Sequence, residues 1–142
     1  MVDWKTCKDK YLAKEIKQDI NLANSLINSS SKKMKSQMLL DLNDETASSK
    51  ITLAYDSLRE LLEALAVIKG YKIYNHECYC SFLKEIMEES LLGDTFDSLR
   101  KIRNSINYYG KEISAKEAEP VLKKIQDTSK DIKSLIDKEK KK

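Results

Sequence analysis

Residues that break helices or form turns are scarce in this sequence, which has only three glycines and one proline among 142 residues. Sandwiches, barrels and hairpin-rich folds need such residues every few positions, so the scarcity argues against them. The length suits one domain, which can bury about 68–70% of its unfolded surface. We therefore expect a single domain over residues 1–142, with its core at about residues 8–137 and a flexible lysine-rich tail at residues 138–142.

Apolar residues recur along most of the chain at the three- and four-residue spacing of a helix face. One stripe runs over residues 51–66. Three residues before or at its start are possible N-caps: Asp44, Thr46 and Ser48. Upstream, the pattern predicts a helix over residues 12–27, an interruption at the three serines 29–31, and a short helical piece over residues 34–42.

Each glycine follows an apolar stripe, and glycine is favoured just past a helix C-terminus because it tolerates a left-handed backbone. Three helices are therefore predicted to end at Gly70, Gly93 and Gly110. The segment at residues 70–75 is predicted to be a tyrosine-rich loop. Three residues are suitable N-caps for the helices that follow: Asn75, and either Asp94 or Thr95.

The last helix has a clear predicted start, because Ser114 and Glu117 have the spacing of a capping box. Pro120 is expected to end a short first turn or to kink the helix. Amphipathic helices bury their stripes against each other. The predicted fold class is therefore all-α, an up-and-down bundle of four long helices plus one or two short helical pieces.

Several functional classes are excluded or disfavoured. No phosphate-binding glycine loop, nucleophile elbow or zinc-protease motif is present, and the longest apolar run, residues 64–68, is too short to span a membrane. Three cysteines without a framework spacing predict reduced thiols and a cytoplasmic protein. His76, Cys78 and Cys80 point in divergent directions on a helix, so no metal site and no cofactor is expected.

One segment, residues 98–111, is basic and contains no acidic residue. The net charge of +3 does not reveal this, because the tail at residues 138–142 accounts for it. Arg103 falls at the edge of the apolar stripe, so it must extend to solvent, pair with Glu60 or Glu63, or line a groove. Its guanidinium suits phosphate recognition. The candidate phosphate- or nucleic-acid-binding residues are Arg100, Lys101, Arg103, Asn107, Tyr109 and Lys111.

Two stretches, residues 54–85 and 99–114, together resemble the HEPN superfamily of small α-helical domains. The first includes the turn at residues 69–71 and His76 at the start of a helix, and the second resembles the R-N-x-x-x-H helix of that family. The resemblance covers roughly residues 8–137. It implies a dimeric bundle, and in many members a metal-independent ribonuclease whose arginine and histidine act on RNA in a groove between protomers.

The resemblance carries over only in part to the catalytic positions, which are Arg103, Asn104 and Tyr108. Tyr108 stands where the family has histidine, and a phenol with a pKa of about 10 is a poor general base near pH 7. His76 is a possible accessory residue. We therefore expect a homodimeric RNA- or nucleotide-binding module. The alternative is a metal-independent endoribonuclease, or a toxin paired with a nucleotidyltransferase partner.

Overall fold

A computed structural model describes residues 2–142. Four long helices form the body of the molecule. The elements in chain order are α1 (Trp4–Asp9), β1 (Ala13–Glu15), α2 (Ile20–Met38), α3 (Ala47–Lys69), β2 (Tyr71–Ile73), α4 (His76–Ser81), a π-helix (Phe82–Ile86), α5 (Ser90–Tyr109) and α6 (Ala115–Lys140). The predicted all-α bundle is confirmed. None of these helices is both long and apolar enough to cross a bilayer.

Helix α3 is the centre of the core. It packs mainly against α2 and α6 and more lightly against α5. Leu58, Leu62 and Leu65 are fully buried along it. Burying such a side chain stabilises the fold by about 1.5–3 kcal/mol, so α3 supplies much of the hydrophobic stabilisation.

The predicted glycine stops are right at two positions and wrong at the third. Gly70 and Gly110 follow α3 and α5 with φ of 89° and 64°, as a left-handed helix end requires. Gly93 instead lies inside α5, which begins at Ser90 and not at residues 94–95. A Cβ at Gly93 would lie 2.6 Å from Lys84 Cγ and 3.0 Å from the carbonyl oxygen of Cys80, so glycine allows close helix packing here.

The predicted helix over residues 12–27 is wrong for residues 12–19 and right for residues 20–27. Residues 13–15 form a strand that pairs antiparallel with residues 71–73, so residues 71–73 are not a loop either. Helix α2 begins only at Ile20, where the carboxylate of Asp19 accepts a hydrogen bond from the amide of Leu22. The serines do not interrupt it, because Ser30 is buried and its hydroxyl donates to the carbonyl of Ser57 at 2.7 Å.

Helix α6 has the predicted capping box at Ser114 and Glu117. It then continues through Pro120, so the prediction of a separate short turn is wrong; the capping box already secures the turn before the proline. The helix extends to Lys140, whereas the sequence suggested a flexible tail from residue 138. Lys140 Nζ donates to Asn24 Oδ1 at 2.7 Å, which attaches this end to α2.

A disulfide joins Cys7 of α1 to Cys78 of α4, and only Cys80 is a free thiol. The prediction that all cysteines are reduced is therefore wrong for two of them, and the inference of a cytoplasmic protein loses this support. The two residues meet because α1 packs onto α4 and the two-stranded sheet. Trp4 is buried and contacts the Tyr71 ring edge-on, with ring centroids 5.2 Å apart.

Candidate phosphate-binding site

The chain contains three arginines and one histidine, and the structure brings all four together. His76, Arg100 and Arg103 line a shallow depression of about 240 Å³ between α4 and α5. We call it the arginine–histidine depression. Its lining residues are Asn75, His76, Glu77, Arg100, Arg103, Asn104 and Tyr108. Arg59 lies just behind it, close enough for its charge to act on His76.

Two helix segments hold the depression in place. The side chain of Asn75 accepts a hydrogen bond from the Glu77 amide at 2.9 Å, which starts α4 and fixes His76 as its first residue. The carboxylate of Glu77 accepts a hydrogen bond from the Val2 amide at 3.1 Å. The opposite wall is the second half of α5, where the side chains of Arg103 and Tyr108 contact each other.

Arg103 occupies an unusual environment for a guanidinium. Its side chain is only 15% exposed, and its Cζ lies 5.1 Å from the ring centre of Tyr55 and 5.5 Å from that of Tyr108. Its Nη1 makes long hydrogen bonds to Asn104 Oδ1 at 3.4 Å and to Tyr108 Oη at 3.3 Å. The buried Nε has no hydrogen-bond partner among residues 2–142. The Nη2 makes only a 3.9 Å contact with Asp56 Oδ1, so this nitrogen keeps donor capacity for a ligand.

The acidic partners suggested for Arg103 by the sequence are wrong. Glu60 forms an ion pair with Lys33, and Glu63 forms one with Arg59 at 3.3 Å. The nearest carboxylate to Arg103 is that of Asp56, at 3.9 Å. That distance is at the outer limit of an ion pair, so the charge of Arg103 is only weakly compensated.

Arg100 differs from Arg103 because it is already paired. Its Nη2 and Nε both donate to Asp97 Oδ1, at 2.8 and 3.2 Å. Burial opposes ionisation of Asp97, but the hydrogen bonds from Arg100 and Lys101 outweigh it and lower the pKa of this carboxyl. Of the arginines, Arg103 is therefore the one whose guanidinium is most available to an anion.

His76 is neutral at physiological pH. Burial, followed by the charges of Arg59, Arg103 and Arg100, lowers the pKa of its imidazole to about 4. Its Nδ1 lies 2.9 Å from the hydroxyl of Tyr55. Burial also raises the pKa of Tyr55, so this phenol keeps its proton and can donate it to Nδ1. In the arrangement where the phenol donates to Nδ1, the imidazole proton lies on Nε2.

Four of the residues predicted to bind phosphate lie outside the depression. Lys101 pairs with Asp97 and is 69% exposed, while Asn107 Oδ1 accepts a hydrogen bond from Thr52. Tyr109 is exposed. Lys111 lines a different depression of about 740 Å³, whose other residues include four carboxylates: Asp44, Glu45, Glu112 and Glu117. That larger depression is acidic and therefore unsuited to phosphate.

Sequence reasoning found the α5 half of the depression and His76, and missed the other residues in and around it. The missed residues are Tyr55, Asp56, Arg59, Asn75 and Glu77. The use of arginine was a signal that could have found part of this set, since the chain has 23 lysines and only three arginines. Within residues 2–142, no group of three or more His, Cys, Asp or Glu side chains is placed to hold a metal ion.

The resemblance to the HEPN superfamily gains no support from comparison with known proteins. No protein-family model matches the chain, and no curated protein matches it significantly.

Proposed function

We propose that the protein is an RNA- or nucleotide-binding module that holds a phosphate in the arginine–histidine depression. The observation that carries the proposal is the convergence of all three arginines on the sole histidine, although lysine outnumbers arginine by 23 to three. Arginine presents a planar fork of donors that matches phosphate oxygens. A random distribution of basic residues would place lysines here.

Arg103 is the principal phosphate ligand in this proposal. Its guanidinium is held between the rings of Tyr55 and Tyr108, which fixes its plane without using its donors. Asn104 and the Nε2–H of His76 supply neutral donors at the same surface. Because these groups are already positioned, a phosphate binds without a large loss of side-chain entropy.

The test is equilibrium binding of 5′-AMP and of a single-stranded 12-mer RNA to the full chain. Arg103→Gln is expected to weaken both about tenfold or more, because hydrogen bonds to charged groups contribute about 1.5–3 kcal/mol. Lys101→Gln is the matched control, since it removes one positive charge from the same helix outside the depression. Equal effects of the two variants would show that only general charge matters and would overturn the proposal.

Ribonuclease activity is the second candidate function. The observation that favours it is the position of His76, which provides an imidazole beside Arg103 although Tyr108 replaces the family histidine. Against it, an imidazole with a pKa of about 4 is a weak base. Cleavage of RNA in EDTA, with 2′,3′-cyclic phosphate ends and loss of activity in His76→Ala, would establish it. Absence of cleavage over a broad RNA panel would reject it.

The homodimer implied by the family resemblance is part of the proposal. Tyr108 is 68% exposed at the rim of the depression, so a second protomer could cover it without rearrangement. Light scattering is expected to give twice the chain mass of 16.4 kDa. A monomer at all concentrations would remove the dimer and leave the depression as a site of one chain.

A further inference from the structure

A second basic surface lies on the outer face of the two-stranded sheet. Lys14 and Lys72 are directly opposite each other in the antiparallel register, so their side chains share one face. Tyr74 is two residues beyond Lys72 and is on the same face. We call these three residues the ribbon surface. All three are exposed, whereas Ala13 and Ile73 on the other face are buried in the core.

The charges of the ribbon surface are not neutralised within the chain. Like charges directly opposite each other destabilise a strand pair. Neither Lys14 nor Lys72 has a carboxylate within ion-pair distance among residues 2–142; the neighbouring Glu15 lies on the other face and pairs with Lys8. Both ammonium groups instead lie 5.9 Å from the ring centre of Tyr74. The two ammonium groups therefore share one exposed aromatic ring.

This combination of groups matches single-stranded nucleic acid. A base stacks on an exposed aromatic ring, and flexible lysines beside it neutralise the flanking phosphates. The lysine ammonium groups can leave the Tyr74 ring and bind a phosphate instead, because the lysine side chain is long and flexible. An acidic peptide would use the two charges and leave the ring without a role.

The ribbon surface is next to the arginine–histidine depression along the chain. Tyr74 is followed by Asn75 and His76, which line the depression, and Asn75 has an extended backbone. Two extended residues cover about 7 Å. One short strand could therefore contact both places.

We infer that the ribbon surface is a second binding site for single-stranded nucleic acid, in which a base stacks on Tyr74 and Lys14 and Lys72 neutralise adjacent phosphates. The inference rests on the proposed function, because it extends the strand whose phosphate is bound by Arg103. It also identifies the ligand of the arginine–histidine depression as a single-stranded nucleic acid. A duplex, whose bases are already stacked and paired, has none free for Tyr74.

The test measures fluorescence anisotropy of labelled U12, labelled dT12 and a 12-bp duplex against the full chain, with competition by unlabelled 5′-AMP. The double variant Lys14→Gln/Lys72→Gln is expected to weaken binding of single strands about tenfold. It should lower the slope of log affinity against log salt by about 1.4, from about 0.7 per phosphate contact. Competition by 5′-AMP should be unchanged.

The matched control is Lys116→Gln/Lys130→Gln, which removes the same charge from exposed positions on α6. It is expected to change single-strand affinity less than twofold. Tyr74→Ser should weaken single-strand binding about fivefold or more, and Tyr74→Phe, which keeps the ring, should bind like the unaltered chain. Circular dichroism of each variant verifies folding, which exposed substitutions leave intact.

The outcomes separate the two proposals. Equal weakening by the ribbon and control pairs, or equal binding of duplex and single strands, overturns the ribbon site. If Arg103→Gln weakens 5′-AMP but the ribbon variants bind U12 normally, only the ribbon site fails. If the ribbon variants weaken U12 but Arg103→Gln leaves 5′-AMP and U12 unchanged, the proposed function fails and the ribbon binds alone. Comparison of U12 with dT12 separates RNA from DNA.

Discussion

Helices α3 and α5 are similar in length and both end at a left-handed glycine, but they contribute to the molecule in different ways. Fifteen residues of α3 are buried, against three of α5. Lys50 and Ser57 of α3 make buried hydrogen bonds and Glu60 forms an ion pair with Lys33, whereas α5 presents an arginine with an unpartnered Nε. Stability is therefore concentrated in α3, and α5 is free to carry binding groups.

The largest expected effect comes from α3. Leu58→Ala should lower the free energy of unfolding by about 3–5 kcal/mol, because it leaves a cavity in the centre of the core. Leu91→Ala on α5 is the matched control and should change stability little, since Leu91 is 79% exposed. Urea denaturation measures both. Similar losses in the two variants would contradict the division between the helices.

The disulfide should have an effect of comparable size. It closes a loop of 71 residues, for which chain entropy gives a stabilisation of about 4 kcal/mol. Cys7→Ser/Cys78→Ser should lower the melting temperature, whereas Cys80→Ser should leave the connectivity unchanged. Mass spectrometry of the unreduced chain with alkylation counts the free thiols, and three alkylated cysteines would contradict the pairing.

Substitution of Gly93 tests whether α5 packs tightly against Cys80 and Lys84 at this position. Alanine is the better helix former, so helix propensity alone predicts that Gly93→Ala stabilises the protein by about 1 kcal/mol. The close approach of Cys80 and Lys84 predicts the opposite sign, a loss of about 1–3 kcal/mol. Thermal denaturation decides between them. Ser98→Ala, at an exposed position of α5, should be within about 0.5 kcal/mol of the unaltered chain.

The smallest expected effect is the dependence of stability on pH through His76. Its folded pKa of about 4 lies below the usual 6.5, so the unfolded chain binds the proton more readily between these values. The part of the free energy of unfolding that depends on a neutral His76 is complete above pH 6.5 and is lost as the pH falls towards 4. Allowing for partial exposure, we expect about 1–2 kcal/mol. His76→Gln should show a correspondingly shallower decline, and an identical decline would contradict the shift.

Much of the helical architecture could be predicted because it depends on local patterns. The stripe of α3, the stops at Gly70 and Gly110 and the capping box at Ser114 are all read over a few neighbouring residues. Gly93 was misassigned because glycine is needed there for a contact with Cys80 of α4, which no local pattern in α5 reveals. The strand pair and the disulfide were missed for the same reason, since they join segments about 60–70 residues apart.

The candidate site also has one part that the sequence could predict and another part that depends on contacts between helices. The grouping of Arg103, Asn104 and Tyr108 lies within one helix and was predicted from the resemblance to the HEPN motif. Tyr55 looked like one more core position in the α3 stripe, and nothing local indicated that its hydroxyl meets His76. The pairing of Arg100 with Asp97 was equally hidden. Partners that lie across helices need the fold before they can be assigned.

The most direct test of the account is an NMR titration of the His76 ring in the free and ligand-bound protein. The account predicts a pKa near 4, raised in Arg103→Gln, where one of the three positive charges is gone. It also predicts a rise on addition of 5′-AMP, because a bound phosphate stabilises the imidazolium. A pKa near 6.5 that responds to neither change would contradict the claim that the arginines and His76 form one phosphate site.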